Sequence, residues 1–143
     1  VSFQLTFDQR LEYDAGQAGI TLAVTLRLNQ DAVDCEAKMD TGSTFSIFAR
    51  KVGEDLGLEI ESGIKQLVGT VTGTFVVYLH EVTLSVLGFE LDALVAFAAD
   101  EAFQRNVLGR RGFLDQTVLG LVDHEGLLYL RAYNSEGGAS EDR

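Results

Sequence analysis

The chain reads as a mostly β protein, a small closed barrel that carries one Gly- and Thr-rich hairpin and one or two short helices. Three observations predict this. Apolar and polar residues alternate at period two along most of the length, 15 glycines and no proline punctuate the alternation, and only brief segments show helical spacing. At 143 residues the chain is expected to form one domain over 1–133, large enough to bury a core without a metal or disulfide staple. The polar, Gly-rich stretch 134–143 is expected to be a disordered tail.

The elements follow in order. Phe3, Leu5 and Phe7 alternate, so Ser2–Phe7 is expected to be an edge strand. Ile20, Leu22, Val24, Leu26 and Leu28 share one face of a half-buried strand, and Asn29–Ala32 reads as a turn. Val33, Cys35, Ala37 and Met39 then alternate with Asp34, Glu36 and Lys38, completing a hairpin that delivers Asp40 at its end. Phe48, Val52 and Leu56 have helical spacing, with Gly57 placed as a stop. Ile64–Val68 and Phe75–Leu79 flank the tip Gly69-Thr70-Val71-Thr72-Gly73, a second hairpin. The apolar phase is odd at Phe75, Val77 and Leu79 but even at Val82, Leu84 and Val86, which predicts a bulge near His80-Glu81. Leu91–Phe97 alternates again, Ala98–Asn106 is a loop, and Val107-Leu108-Gly109 is expected to lead into a brief helix through Phe113 and Leu114. Val118–Val122 and Leu127–Tyr133 form a last hairpin around Asp123–Gly126.

Composition narrows the function classes. A net charge of −11 leaves no basic stripe to neutralise phosphates, which argues against nucleic acid, and it disfavours anionic membrane surfaces. The longest apolar runs are far too short to span a bilayer. No signal peptide is visible, although the chain begins with Val1, so localisation is unassigned. The single Cys35 lies at an apolar-phase position and is expected to be a buried, inert thiol. His80 and His124 are widely separated and no Cys/His spacing matches a zinc site, so no metal or other cofactor is expected. Neither a Gly-x-Ser-x-Gly elbow nor a phosphate-cradling Gly-rich loop ending in Lys-Ser/Thr occurs.

One stretch carries chemistry: Lys38-Met39-Asp40-Thr41-Gly42-Ser43, where an alternating strand runs into four turn-forming residues. As a turn alone it needs no function, because Asp, Thr, Gly and Ser all suit a strand-to-helix turn, and a tripeptide of this kind arises by chance in roughly 3% of chains this long. Its context is more specific. Asp40-Thr41-Gly42-Ser43, the Gly-rich Val68–Phe75 hairpin and the late Val107-Leu108-Gly109 before a short helix occur in the order and rough spacing of one family. Over roughly residues 18–133 the chain resembles the retropepsin-like aspartic proteases, the single-domain relatives of pepsin.

The resemblance implies an acid-protease-type barrel and an aspartic endopeptidase without cofactors, acting on a peptide or protein substrate. Asp40, Thr41 and Gly42 would be the catalytic loop, with Gly42 allowing a close turn and Thr41 bonding across to its counterpart. Ser43 would donate to the Asp40 carboxylate and, with Val68, Gly69, Thr70, Val71, Thr72 and Gly73 of a flap, contact substrate. Apolar lining would favour hydrophobic side chains beside the cleaved bond. Because Asp-Thr-Gly occurs once, the second carboxylate would come from an identical chain, implying a homodimer stabilised through Thr41 and Arg110. In retroviral members the fourth residue after the catalytic Asp is often an acid pairing with the Arg after the late Gly. Here Arg110 matches that Arg, Thr44 stands in place of the acid, and Arg111 replaces a second acid. The interface strand would be Leu127–Tyr133, with Ser2–Phe7. The competing expectation is a catalytically silent module of the same fold, used for dimerisation or peptide binding.

Overall fold

The structure is a computed structural model that describes residues 1–134, so the tail expected over 134–143 lies, apart from Asn134, outside the described residues. The first hairpin forms, with a tighter turn than expected, since Asp31 and Ala32 belong to the second strand and leave only Asn29 and Gln30 between the two. Strands β2 (Ile20–Leu28) and β3 (Asp31–Met39) pair antiparallel from Leu28↔Asp31 to Ile20↔Met39. Leu22, Val24, Leu26 and Ala37 point into the core while the intervening residues face outward. After the Asp40 loop come β4 (Ile47–Phe48) and helix α1 (Arg50–Asp55). The helix is shorter than its spacing suggests, since Phe48 belongs to β4, yet Phe48, Val52 and Leu56 are all buried. Gly57 does terminate it: the amides of Gly57 and Leu58 donate to the carbonyls of Glu54 and Gly53.

Strands β5 (Ile64–Thr70) and β6 (Gly73–Val86) make the second hairpin, and β6 pairs with β7 (Phe89–Ala98). The expected bulge at His80-Glu81 is absent. The β6–β7 register runs without a slip from Val77↔Ala98 to Val86↔Phe89. The phase change has another cause: the two faces of one continuous strand are covered at different ends. Val82, Leu84 and Val86 face the main core with Leu22, Leu26 and Phe97, whereas Val77 and Leu79 join Ile47 and Ala96 in a second cluster against Val68, Phe75 and Phe103.

Short β8 (Val107–Leu108) lies parallel to β3 and antiparallel to β4, and β4 lies parallel to β7. With the β2–β6 pairing, the order β2-β3-β8-β4-β7-β6 closes on itself as a barrel, with β5 attached beyond β6. The helix expected after Gly109 does not form through Phe113. The backbone turns left-handed at Gly112 (φ 96°), and only Leu114–Gln116 makes a 3-10 turn.

A separate three-stranded sheet has the order β1-β10-β9, from β1 (Gln9–Glu12), β9 (Thr117–Val122) and β10 (Leu127–Ala132). The edge strand is therefore Gln9–Glu12 and not Ser2–Phe7. The β10 edge is taken by Gln9–Glu12, so the earlier alternation finds no ladder: Phe3 and Leu5 are exposed, and Phe7 packs on Tyr129. With both edges of β10 occupied, Leu127–Tyr133 is not a free interface strand, and among the described residues the open edges of this sheet are those of β1 and β9. No helix among the described residues is long and apolar enough to cross a membrane.

Candidate active site

Asp40 leaves β3 where the barrel's two parallel-paired segments meet. Its amide donates to the Leu108 carbonyl (2.9 Å), tying the loop to β8. The loop then folds around its own carboxylate: the Gly42 amide donates to Asp40 Oδ1 (2.9 Å) and the Ser43 amide to the Asp40 carbonyl (3.2 Å). This is an Asx turn, which fixes one carboxylate oxygen by short-range geometry and leaves the carboxyl group exposed.

Ser43 does not donate to Asp40. Its hydroxyl donates to the Phe45 carbonyl (2.7 Å), a nearer acceptor once the chain has turned. Thr41 is exposed, and its hydroxyl makes no hydrogen bond among the described residues. Arg110 is brought to the loop by its backbone, its amide donating to the Ser43 carbonyl (2.8 Å), while its side chain is exposed and forms no ion pair among the described residues. The Arg111 amide donates to the Thr44 carbonyl (2.8 Å), and its guanidinium lies over the Phe45 ring at 5.4 Å. Thr44, Arg110 and Arg111 thus border one recess with Leu114 and Asp115.

Sequence reasoning missed the residue that locks these loops together. Ser46 is completely buried. Its hydroxyl accepts the Gly109 amide (3.0 Å) and donates to the Arg111 carbonyl (2.9 Å), while its own carbonyl accepts the Ala96 amide (2.8 Å). The available signal was a serine between Phe45 and Ile47-Phe48, where only a hydrogen-bonded hydroxyl can be buried cheaply. Gly109 is required by close approach, since a Cβ there would collide with the Phe45 carbonyl.

The hairpin residues Val68, Gly69, Thr70, Val71, Thr72 and Gly73 stand apart from this loop in sequence but share its apolar footing. Val68 and Phe75 pack on the cluster of Ile47 and Val77 that Phe45 also joins, and Phe75 stacks on Phe103 at 4.9 Å. The tip is exposed, with Val71 entirely so, and Thr70 Oγ1 closes it by donating to the Gly73 carbonyl (3.0 Å). A groove of about 690 Å³ opens beside Asp40. Its lining is mixed and not the apolar wall expected: Met39 and Val107 are joined by Lys38, Arg105 and Glu36. Cys35 is half-buried, less deeply than expected, and burial, followed by the charge of Asp34, pushes its thiol up to about 11. Among the described residues no group of His, Cys, Asp and Glu is arranged to hold a metal.

A barrel closed through short parallel pairings, with a lone Asp-Thr-Gly loop at the junction, is the architecture of the retropepsin-like proteases. The EIAV protease complexed with the inhibitor HBY-793 has the same fold: TM-score 0.52 and 20% identity, over 66% of this chain and 84% of that one. The family described as aspartyl protease matches residues 24–121, and the chain belongs to it. No curated protein sequence matches the chain.

Proposed function

We propose that the chain is an aspartic endopeptidase that hydrolyses peptide bonds as a homodimer, with residues 1–133 as the catalytic unit. The observation that carries this reading is the exposed Asp40 carboxyl group, held through one oxygen by the Gly42 amide at the edge of a groove. A single carboxylate is a weak catalyst for amide hydrolysis. Two facing carboxyl groups share one proton, as in aspartic proteases generally, because like charges that close cannot both ionise. One then takes a proton from the attacking water while the other donates to the scissile carbonyl.

The chain holds one Asp-Thr-Gly, so the partner carboxylate comes from a second copy at a twofold axis. Thr41, whose hydroxyl is unengaged among the described residues, would bond across that axis to its counterpart, and Arg110, whose amide donates to the Ser43 carbonyl, would stabilise the dimer beside it. The β5–β6 hairpin is the flap: Val68–Gly73 would close over an extended substrate and pair with its backbone, with Ser43 contacting it from below. The EIAV protease, solved with an inhibitor, supports such a groove by its shared fold.

The test is incubation with a diverse peptide mixture, with and without a statine-type transition-state mimic, while protein concentration is varied. New peptide termini appear, the mimic suppresses them, and specific activity falls on dilution as sedimentation shows dimers giving way to monomers. No new termini at any concentration would refute hydrolysis. Specific activity unchanged on dilution, from a species that sediments as a monomer, would refute the shared site.

A further inference from the structure

The groove beside Asp40 holds two cations, Lys38 and Arg105, that form no ion pair among the described residues. In a chain of net charge −11, three basic side chains are committed within the protein: Arg50 binds Glu54 and Glu61, Lys51 binds Asp55, and Arg131 donates to backbone carbonyls. Lys38 and Arg105 line the groove and are exposed, and neither takes part in a side-chain hydrogen bond or ion pair among the described residues.

Both cations are mounted on fixed backbone. Lys38 is two residues from Asp40 on β3, roughly 7 Å along the strand, and its amide donates to the Asn106 carbonyl (2.9 Å). Its aliphatic stem runs past Gly19, where a Cβ would lie 3.2 Å from Lys38 Cδ, so the stem is confined on that side. Arg105 precedes Asn106, whose side-chain amide bonds the Glu36 carbonyl (3.1 Å) and accepts the Ala49 amide (3.0 Å), pinning the wall from which Arg105 projects. Two acids share the groove, Asp40 at its edge and Glu36 one pleat farther along β3 than Lys38, and neither forms an ion pair with Lys38 or Arg105 among the described residues.

An apolar side chain entering this groove would touch Met39 and Val107 but strip water from Lys38 and Arg105 without replacing it, whereas a carboxylate would meet both cations. We infer that the groove beside Asp40 binds an acidic side chain of an extended peptide through Lys38 and Arg105, which makes the protein selective for substrates with Asp or Glu flanking the bond to be cut. The inference rests on the hydrolase reading above. A twofold dimer supplies the groove twice, so the preference applies on both sides of that bond.

Binding separates this inference from turnover. In the Asp40→Asn background, decapeptides identical except for Glu, Leu or Lys at the two central positions are titrated by calorimetry. The Glu peptide binds about tenfold tighter than the Leu peptide, and the Lys peptide binds weakest. Lys38→Glu and Arg105→Glu each erase or reverse that ratio, Lys38→Met erases it without adding charge, and raised salt shrinks it. Both substituted side chains are exposed, and circular dichroism verifies the fold of each variant. Equal affinities, a Leu preference untouched by the variants, or no binding of any peptide would overturn the inference. Selective binding in a protein whose Asp40 form cuts none of the peptides would support it and overturn only the hydrolytic reading.

Discussion

Ser46 and Gly109 are joined by a hydrogen bond from the Gly109 amide to the Ser46 hydroxyl at 3.0 Å, inside the protein and 63 residues apart in sequence. The bond couples the segment after the Asp40 turn to the segment that carries Arg110 and Arg111. In Ser46→Ala the Arg111 carbonyl keeps the Ser46 amide (3.2 Å), but the Gly109 amide loses its acceptor. A buried orphan donor of this kind costs about 1–3 kcal/mol. Denaturant unfolding of Ser46→Ala should show a loss in that range with an unchanged m-value, and peptidase activity should fall because the loop is less firmly held. An unaltered midpoint would contradict this assignment.

Gly109 itself has no room for a methyl group, and the obstacle is the Phe45 carbonyl and not a flexible side chain. Gly109→Ala therefore forces a backbone displacement and is expected to cost more than about 3 kcal/mol, seen as low soluble yield or a collapsed thermal transition. Gly69→Ala is the matched control: a Cβ added there meets nothing within 4 Å, and the variant should stay within about 0.5 kcal/mol of the parent protein.

Asp40→Asn preserves the turn, because an amide oxygen can still accept the Gly42 N–H that Oδ1 now accepts. It removes the group that takes or gives the proton. We expect kcat to fall by about 10³-fold or more while circular dichroism and sedimentation remain those of the parent. Retained cleavage by the purified variant would remove Asp40 from the chemistry.

Arg50 clamps α1 to the 3-10 turn Ile60–Ser62 through Glu61, at 2.6 and 2.9 Å, and reaches the Ala99 carbonyl at 3.1 Å. The hydrogen bond from Arg50 holds the Glu61 carboxyl below the usual range. A depressed folded-state value means that the stabilisation is present above the unfolded carboxylate's pKa, roughly 4.3, and is lost as pH falls through the folded one. Glu61→Gln should therefore lower the thermal midpoint near neutrality and converge on the parent protein in strong acid. A difference that persists undiminished at low pH would count against the clamp.

Alternation makes the two strands of the β2–β3 hairpin legible, but not its turn: Asp31 and Ala32, polar and small enough to be expected in the turn, extend β3 and pair with Leu28 and Arg27. Gly57 is legible, since a helix stop is written in one residue. The phase change in β6 is visible in the sequence but its cause is not: a pattern reports which face is buried, not what buries it, and two clusters on opposite faces mimic a bulge. Phe3 and Leu5 mislead for the complementary reason, as alternation without an available edge makes no strand. At the site, the Asp40 turn can be located from its motif. The partner of the Ser43 hydroxyl and the role of Ser46 cannot, because both depend on which backbone atoms the fold brings within 3 Å.

The unbroken course of β6 has a mechanical consequence. Its 14 residues extend roughly 43 Å, from the exposed tip at Gly73 to Val86, where the strand pairs with β2 and shuts the barrel. A peptide gripped at the tip therefore pulls on the same beam that staves the barrel together, with no joint between them to absorb the load. If the hairpin captures a peptide as proposed, that capture and the melting of the whole barrel strain the same strand, and a bound peptide is expected to slow amide exchange as far away as Leu84 and Val86.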